Sequence, residues 1–284
     1  MESNRFRITH FTEYRFDEPV FLEPHYLRFH LSVNPFLRVA DFSLQVDPAP
    51  SGVSPQLDAE NNVVHFCWFN GLHDHLSIRL ECEVDFQQFD PFNYLVYPSD
   101  FLSLPFEYPD PLKATLKPYL QALEISKDVQ EYAKRLLKEV NQQAPEFLIR
   151  LTQQIAKDFE LASREEGDPL DPSDTFRLKS GSCRDLAWMH IHLLRNLGIA
   201  ARFVSGYFFV EGEKPEFELH AWVDVFLPGA GWIGFDPGHG LAASNSHLAV
   251  AKSASFRNTM PVTGSVRGAA TSTLAFYLKI ELLD

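Results

Sequence analysis

Apolar and polar positions alternate along the first third of the chain and recur at helical spacing in the middle. Phe6-Arg7-Ile8-Thr9-His10-Phe11-Thr12, residues 41–46 and residues 76–84 all read as half-buried strands. Breakers at residues 47–52 and at Asn70-Gly71 separate them, so residues 5–89 are expected to form a small antiparallel sandwich or barrel. Residues 89–118 carry six prolines among aromatics and lack periodicity, the mark of an ordered linker on a surface. Val129, Tyr132, Ala133, Leu136, Leu137 and Val140 then share one helical face, with Ser126 as N-cap. A second amphipathic segment, 147–159, follows Pro145. Residues 163–182, rich in Asp, Ser, Gly and Pro, read as loop. Leu186, Met189, Leu193, Leu194 and Leu197 predict a helix over 183–197 that Gly198 ends. Strands are expected over 201–210, 220–227, 231–235, 248–251 and 274–282. The resulting fold class is α+β, with a β-rich N-terminal domain and linker over 1–100 and a second domain over 101–284.

The 284 residues are 45% apolar, enough to fill real cores. A net charge of −13 without a Lys/Arg cluster disfavours nucleic acid and anionic membrane surfaces as partners. The N-terminus leads directly into a strand pattern, and no apolar run approaches the length of a membrane span, so a cytoplasmic protein is expected. Cys67, Cys82 and Cys183 have no paired spacing, which fits a reducing compartment and free thiols.

One of these cysteines carries the chemistry. Cys183 opens a helix, where exposed N–H groups and the positive dipole end favour an anionic sulfur and can hold a developing oxyanion. Arg184 and Asp185 are its helix-start neighbours. His220 and Asp236 follow in strand-like runs, the order a cysteine nucleophile, a histidine base and an orienting carboxylate require. Trp222 and Trp232 on the same hairpin are expected to wall the pocket. A four-residue turn, 228–231, would pair Leu227 with Trp232 and Val223 with Asp236 and send Asp236 to the face opposite His220; a five-residue turn or a bulge restores a common face. His65, Cys67, His73 and His75 flank the Asn70-Gly71 turn, but their spacing fits no common zinc pattern, and neither a metal nor a cofactor is expected.

Gly181-Ser182-Cys183-Arg184-Asp185-Leu186-Ala187, residues 194–207, His220-Ala221-Trp222-Val223-Asp224-Val225 and Gly231-Trp232-Ile233-Gly234-Phe235-Asp236-Pro237 resemble the transglutaminase-like superfamily, with its papain-like cysteine core. Residues 8–14 and 58–76 resemble the β-rich domain that precedes this core in many bacterial members. The resemblance implies catalytic roles for Cys183, His220 and Asp236, a thioester acyl-enzyme, and a peptide or protein carboxamide substrate. Without a calcium-ligand loop, protease or amidase action is favoured over crosslinking. Arg184 stands where members usually have Gln, Ser182 where Val is commoner, and Gly238-His239 where Thr-Asn is usual. These departures motivate the alternative, a catalytically silent binding or scaffold protein of the same fold.

Overall fold

The computed structural model describes residues 3–164, 167–210 and 216–283. Its first strand, Ser3–Leu22, buries Phe6, Ile8, His10 and Thr12 on one face, as the alternation predicts. It pairs antiparallel with His73–Gln87, which in turn pairs with Leu37–Asp47. Its other edge is covered by Ser272–Leu283, with Arg5 opposite Leu283 through to Phe16 opposite Ser272. The chain therefore closes on its own beginning. The last strand, read as part of the second domain, belongs to the N-terminal sheet: alternation identifies a strand but not its partner. A smaller antiparallel sheet runs in the order Val262–Thr263, His25–Leu27, Val63–Trp68, Gly52–Leu57.

In the second half, Lys127–Glu139 follows an extended Ser126, and Ala144–Asp158 admits Pro145 in its first turn, where no intrahelical N–H is needed. Residues 163–182 are not all loop. Asp171 accepts from the Ser173 N–H (2.8 Å) and Pro172 presets the backbone, so Pro172–Leu178 is a short helix. The next helix, Cys183–Asn196, ends at Gly198 with φ +78°. It packs Leu186, Met189, Leu193 and Leu194 against Phe203, Val223, Val225 and Phe235 of an antiparallel sheet. That sheet runs in the order Leu241–Ala242, Gly231–Asp236, Glu216–Leu227, Ala201–Val210, His247–Ser253.

The two halves share a core. Tyr207, Phe209, Leu248 and Val250 of the second sheet join Phe6, Ile8, Leu80 and Phe86 of the first, and the buried His10 ring bridges Tyr207 Oη (3.0 Å) and Thr12 Oγ1 (2.9 Å). Arg195 fastens the end of the central helix. Nearly buried, it donates to the carbonyls of Ala201 (2.8 Å), Ala254 (2.7 Å) and Gln121 (3.0 Å). Replacing it by Met would leave three carbonyls without their charged donor. Since each such bond contributes about 1.5–3 kcal/mol, Arg195→Met is expected to lower stability by more than about 3 kcal/mol, read by urea unfolding. A change below about 1 kcal/mol would show that water replaces the guanidinium.

Candidate active site

The start of the Cys183–Asn196 helix is fixed by Asp185. One carboxylate oxygen accepts from the Ser182 N–H (2.7 Å) and the Ser182 hydroxyl (2.6 Å). The other accepts from Arg164 Nη2 (2.6 Å) and the Leu170 N–H (2.7 Å). Burial alone would raise its pKa; these donors outweigh burial and hold it below the usual carboxylate range. Asp185 thus ties the preceding loop to the helix. Gly181 is needed for the same closeness, since a Cβ there would lie 2.8 Å from Asp185 Cβ. Arg184 is half-buried and donates to the Arg164 carbonyl at 2.6 Å.

The hairpin register settles whether His220 and Asp236 can meet. Leu227 pairs with Gly231, Phe226 with Trp232 and Val223 with Phe235, so the turn is Pro228-Gly229-Ala230, one residue shorter than expected. Gly231, at φ +77°, begins the return strand where a four-residue turn would still be turning. Continuing that register places Asp236 across from Trp222, two positions from His220 on the same face. His220 Nε2 donates to Asp236 Oδ2 at 2.9 Å, and both side chains are buried. The Cys183 thiol is among the groups that raise the pKa of the same imidazole, without an aligned hydrogen bond to it.

Asp236 accepts from more than His220. Oδ2 also accepts from His239 Nδ1 (2.8 Å) and His247 Nε2 (3.1 Å), while Oδ1 accepts from the N–H groups of Gly238 (2.9 Å) and His239 (3.3 Å). Burial would raise its pKa, but the three imidazoles prevail and hold it well below the usual carboxylate range. His247 Nδ1 accepts from the Ser244 N–H (3.3 Å), which leaves Nε2 as its N–H. Burial lowers the pKa of His247. Burial likewise opposes charge on His220, yet Asp236, Cys183 and Glu218 together raise its pKa well above 6.5.

Glu218 is the neighbour that sequence reading missed, although it stands two residues before His220 on the same strand face. Its Oε1 lies 2.8 Å from His220 Nδ1, off the ring N–H direction, a close ion-pair contact without an aligned hydrogen bond. His239 and His247 join the cluster as well, and no local sequence pattern assigns either a role. Sheet pairing of His247 with Phe208, and the tight turn after Asp236, bring both to the carboxylate.

Trp222 is buried, its ring 6.3 Å from and nearly parallel to that of His220. With Trp232, Asp224, Lys252 and His247 it lines a cavity of about 510 Å³ between the sheet and the loops at 33–36 and 88–94. Cys183 is not on its wall, so the two tryptophans border a space beside the cluster. The His65–Cys67 and His73–His75 pairs do not converge. His73 Nε2 sits 2.8 Å from the Asn70 carbonyl, His75 contacts Asp74 and Asp47, and burial pushes the Cys67 thiol up to about 11.

A family model for the bacterial transglutaminase-like N-terminal region matches residues 6–85, and one for the transglutaminase-like superfamily matches residues 130–237, the span that contains Cys183, His220 and Asp236. The chain belongs to the transglutaminase-like superfamily. Uncharacterized proteins of Mycobacterium tuberculosis and Mycobacterium bovis are similar to this transglutaminase-like chain, 27% identical across 93% of it and 88% of their own length. Its fold is shared by a solved structure from Cytophaga hutchinsonii, of a protein proposed to be a cysteine protease. The TM-score is 0.73 at 21% identity, covering all of this chain and 92% of that one. His239 and His247 lie beyond the matched transglutaminase-like segment. Among the described residues no helix is long and apolar enough to cross a membrane.

Proposed function

We propose that the protein is a cysteine-dependent enzyme that opens a carboxamide or peptide bond through a thioester on Cys183. The carrying observation is the buried His220 imidazole bonded to the Asp236 carboxylate, with Cys183 among the groups that raise its pKa. In this reading the sulfur attacks the carbonyl carbon, and the first-turn N–H of Cys183 faces the developing oxyanion. The C–N bond breaks as the protonated His220 gives its proton to the departing amine. Water, deprotonated by the now neutral imidazole, then cleaves the thioester to a carboxylic acid and returns the thiol. Asp236 holds the ring with Nε2 as the donor to itself and Nδ1 toward the sulfur. Hydrolysis is proposed over amine transfer, in keeping with the protease proposed for the Cytophaga relative of the same fold. Free Cys67, Cys82 and Cys183 fit action in a reducing compartment.

The test is amine or ammonia release from a panel of peptides and peptide carboxamides, with Cys183→Ala beside the wild-type chain. Release should vanish in the variant while its unfolding midpoint is kept; equal release from both contradicts the assignment. The charge on His220 adds a pH dependence. Its proton is needed by the leaving amine, so activity should persist above pH 6.5 and fall as pH rises through the raised pKa of His220. Glu218→Gln removes one anion that supports that proton, so the basic limb should move to lower pH. A basic limb unmoved by the substitution would show that Glu218 does not act on His220.

A further inference from the structure

We propose that Glu218, His220 and His239 form a Zn²⁺ site that overlaps the reactive cluster, so that zinc reversibly takes the His220 nitrogen that the reaction at Cys183 needs. The blocking role rests on the reading of Cys183 and His220 as nucleophile and base; the metal site itself rests only on geometry. Asp236 decides which ring nitrogens are available. It takes the Nε2 proton of His220 and the Nδ1 proton of His239, which leaves His220 Nδ1 and His239 Nε2 as the free lone pairs. Both point toward Glu218: Oε1 is 2.8 Å from His220 Nδ1 and 3.9 Å from His239 Nε2, and the three donor atoms lie within 4.8 Å of one another. A tetrahedral zinc with bonds of about 2.0–2.1 Å to nitrogen and oxygen spaces such donors about 3.4 Å apart, between those two distances.

Two of the three atoms have no aligned hydrogen-bond partner where they stand. His220 Nδ1 and Glu218 Oε1 are buried polar atoms left without one, a costly arrangement that a cation between them would satisfy. One carboxylate binding the far nitrogen of both imidazoles is the outer-shell arrangement that orients metal-ligating histidines. His239 is further held by stacking on Phe208, with ring centroids 4.3 Å apart at 20°. The fourth position is left to solvent, and a set of two imidazoles and one carboxylate, a common catalytic-zinc ligand set, selects zinc over magnesium or calcium. Half-exposed Glu218 and partly exposed His239 give a path from solvent. The buried group His220, Asp236 and His247 offers no such site, because the Nε2 atoms there carry the protons donated to Asp236.

The experiment measures Zn²⁺ affinity by competition with a chromophoric chelator for the full-length wild type, His239→Ala and Glu218→Gln. Alongside, the rate of Cys183 alkylation by iodoacetamide is compared with and without Zn²⁺ in each protein. The wild type should bind one Zn²⁺ per chain and be alkylated at Cys183 more slowly when it does, because His220 Nδ1 is then occupied. His239→Ala should weaken binding by more than about 100-fold, beyond what loss of an outer-shell partner usually costs, and Glu218→Gln by at least about tenfold. Zinc affinity unchanged in both variants, or bound zinc that leaves the alkylation rate unchanged, overturns the proposal. Chelator competition needs no turnover. A chain that binds zinc as described but never acylates Cys183 refutes the enzymatic reading and leaves the metal site standing.

Discussion

Asp236→Asn is expected to lower kcat for amide cleavage by on the order of 10⁴-fold while KM changes little, the size of effect seen when a catalytic histidine is held in the wrong tautomer. The carboxylate accepts from His220, His239 and His247 on one oxygen. An amide offers one oxygen and an NH₂ that can only donate. Placed against three imidazole N–H groups, the NH₂ repels at least one of them, and His220 relieves the conflict by carrying its proton on Nδ1, toward Cys183. The base is then lost at the atom that faces the sulfur, although the side-chain shape is kept. Steady-state kinetics with the variant read this directly; a loss below about tenfold would show that Asp236 does not orient the reacting imidazole.

The second large effect is on stability in acid. His10, His190 and His192 are buried, and burial pushes their pKa values to about 4, 3 and 3. Folded, they are neutral over most of the acid range; unfolded, they titrate near 6.5. As pH falls from 6.5 toward 4 the unfolded chain binds protons that the folded chain refuses, so stability falls by up to about 1.4 kcal/mol per pH unit for each histidine. His220 does not offset this. Its pKa is raised, so its stabilisation is complete below 6.5 and is lost only as pH rises through its folded value. Asp236 and Asp185, with depressed pKa values, withdraw their contributions only below the ordinary carboxylate range, later than the histidines. The unfolding free energy should therefore drop steeply between pH 6.5 and 4. His192→Gln, whose amide oxygen can replace Nδ1 as acceptor for the Leu123 N–H, should reduce the slope by about one proton. A flat profile through this window would contradict the neutral burial of these rings.

Local signals in the chain were legible where a single element decides the outcome. The leucine spacing and Gly198 bound the Cys183–Asn196 helix almost to the residue, and the alternation of Phe6, Ile8 and His10 locates the first strand. The Asp171-Pro172 helix start was equally local, but the loop-like composition around it obscured it. Features set by pairing were not readable. One residue of turn length decides which face Asp236 occupies, and no local pattern distinguishes Leu227 opposite Gly231 from Leu227 opposite Trp232. The return of Ser272–Leu283 to the first strand spans the whole chain. The cluster was legible in its three principal residues, but Glu218, His239 and His247 acquire their places from strand alternation, a tight turn and cross-sheet pairing.

The central claim is that Cys183 becomes acylated with the help of His220. Its most direct measurement is quenched-flow mass spectrometry of the chain mixed with a cleavable peptide carboxamide, comparing the wild type with His220→Ala. The account predicts a transient mass increase equal to the acyl fragment, mapped to Cys183 by digestion, that forms orders of magnitude more slowly in His220→Ala. Turnover without any adduct on Cys183, or an adduct that forms equally fast in the variant, would contradict it.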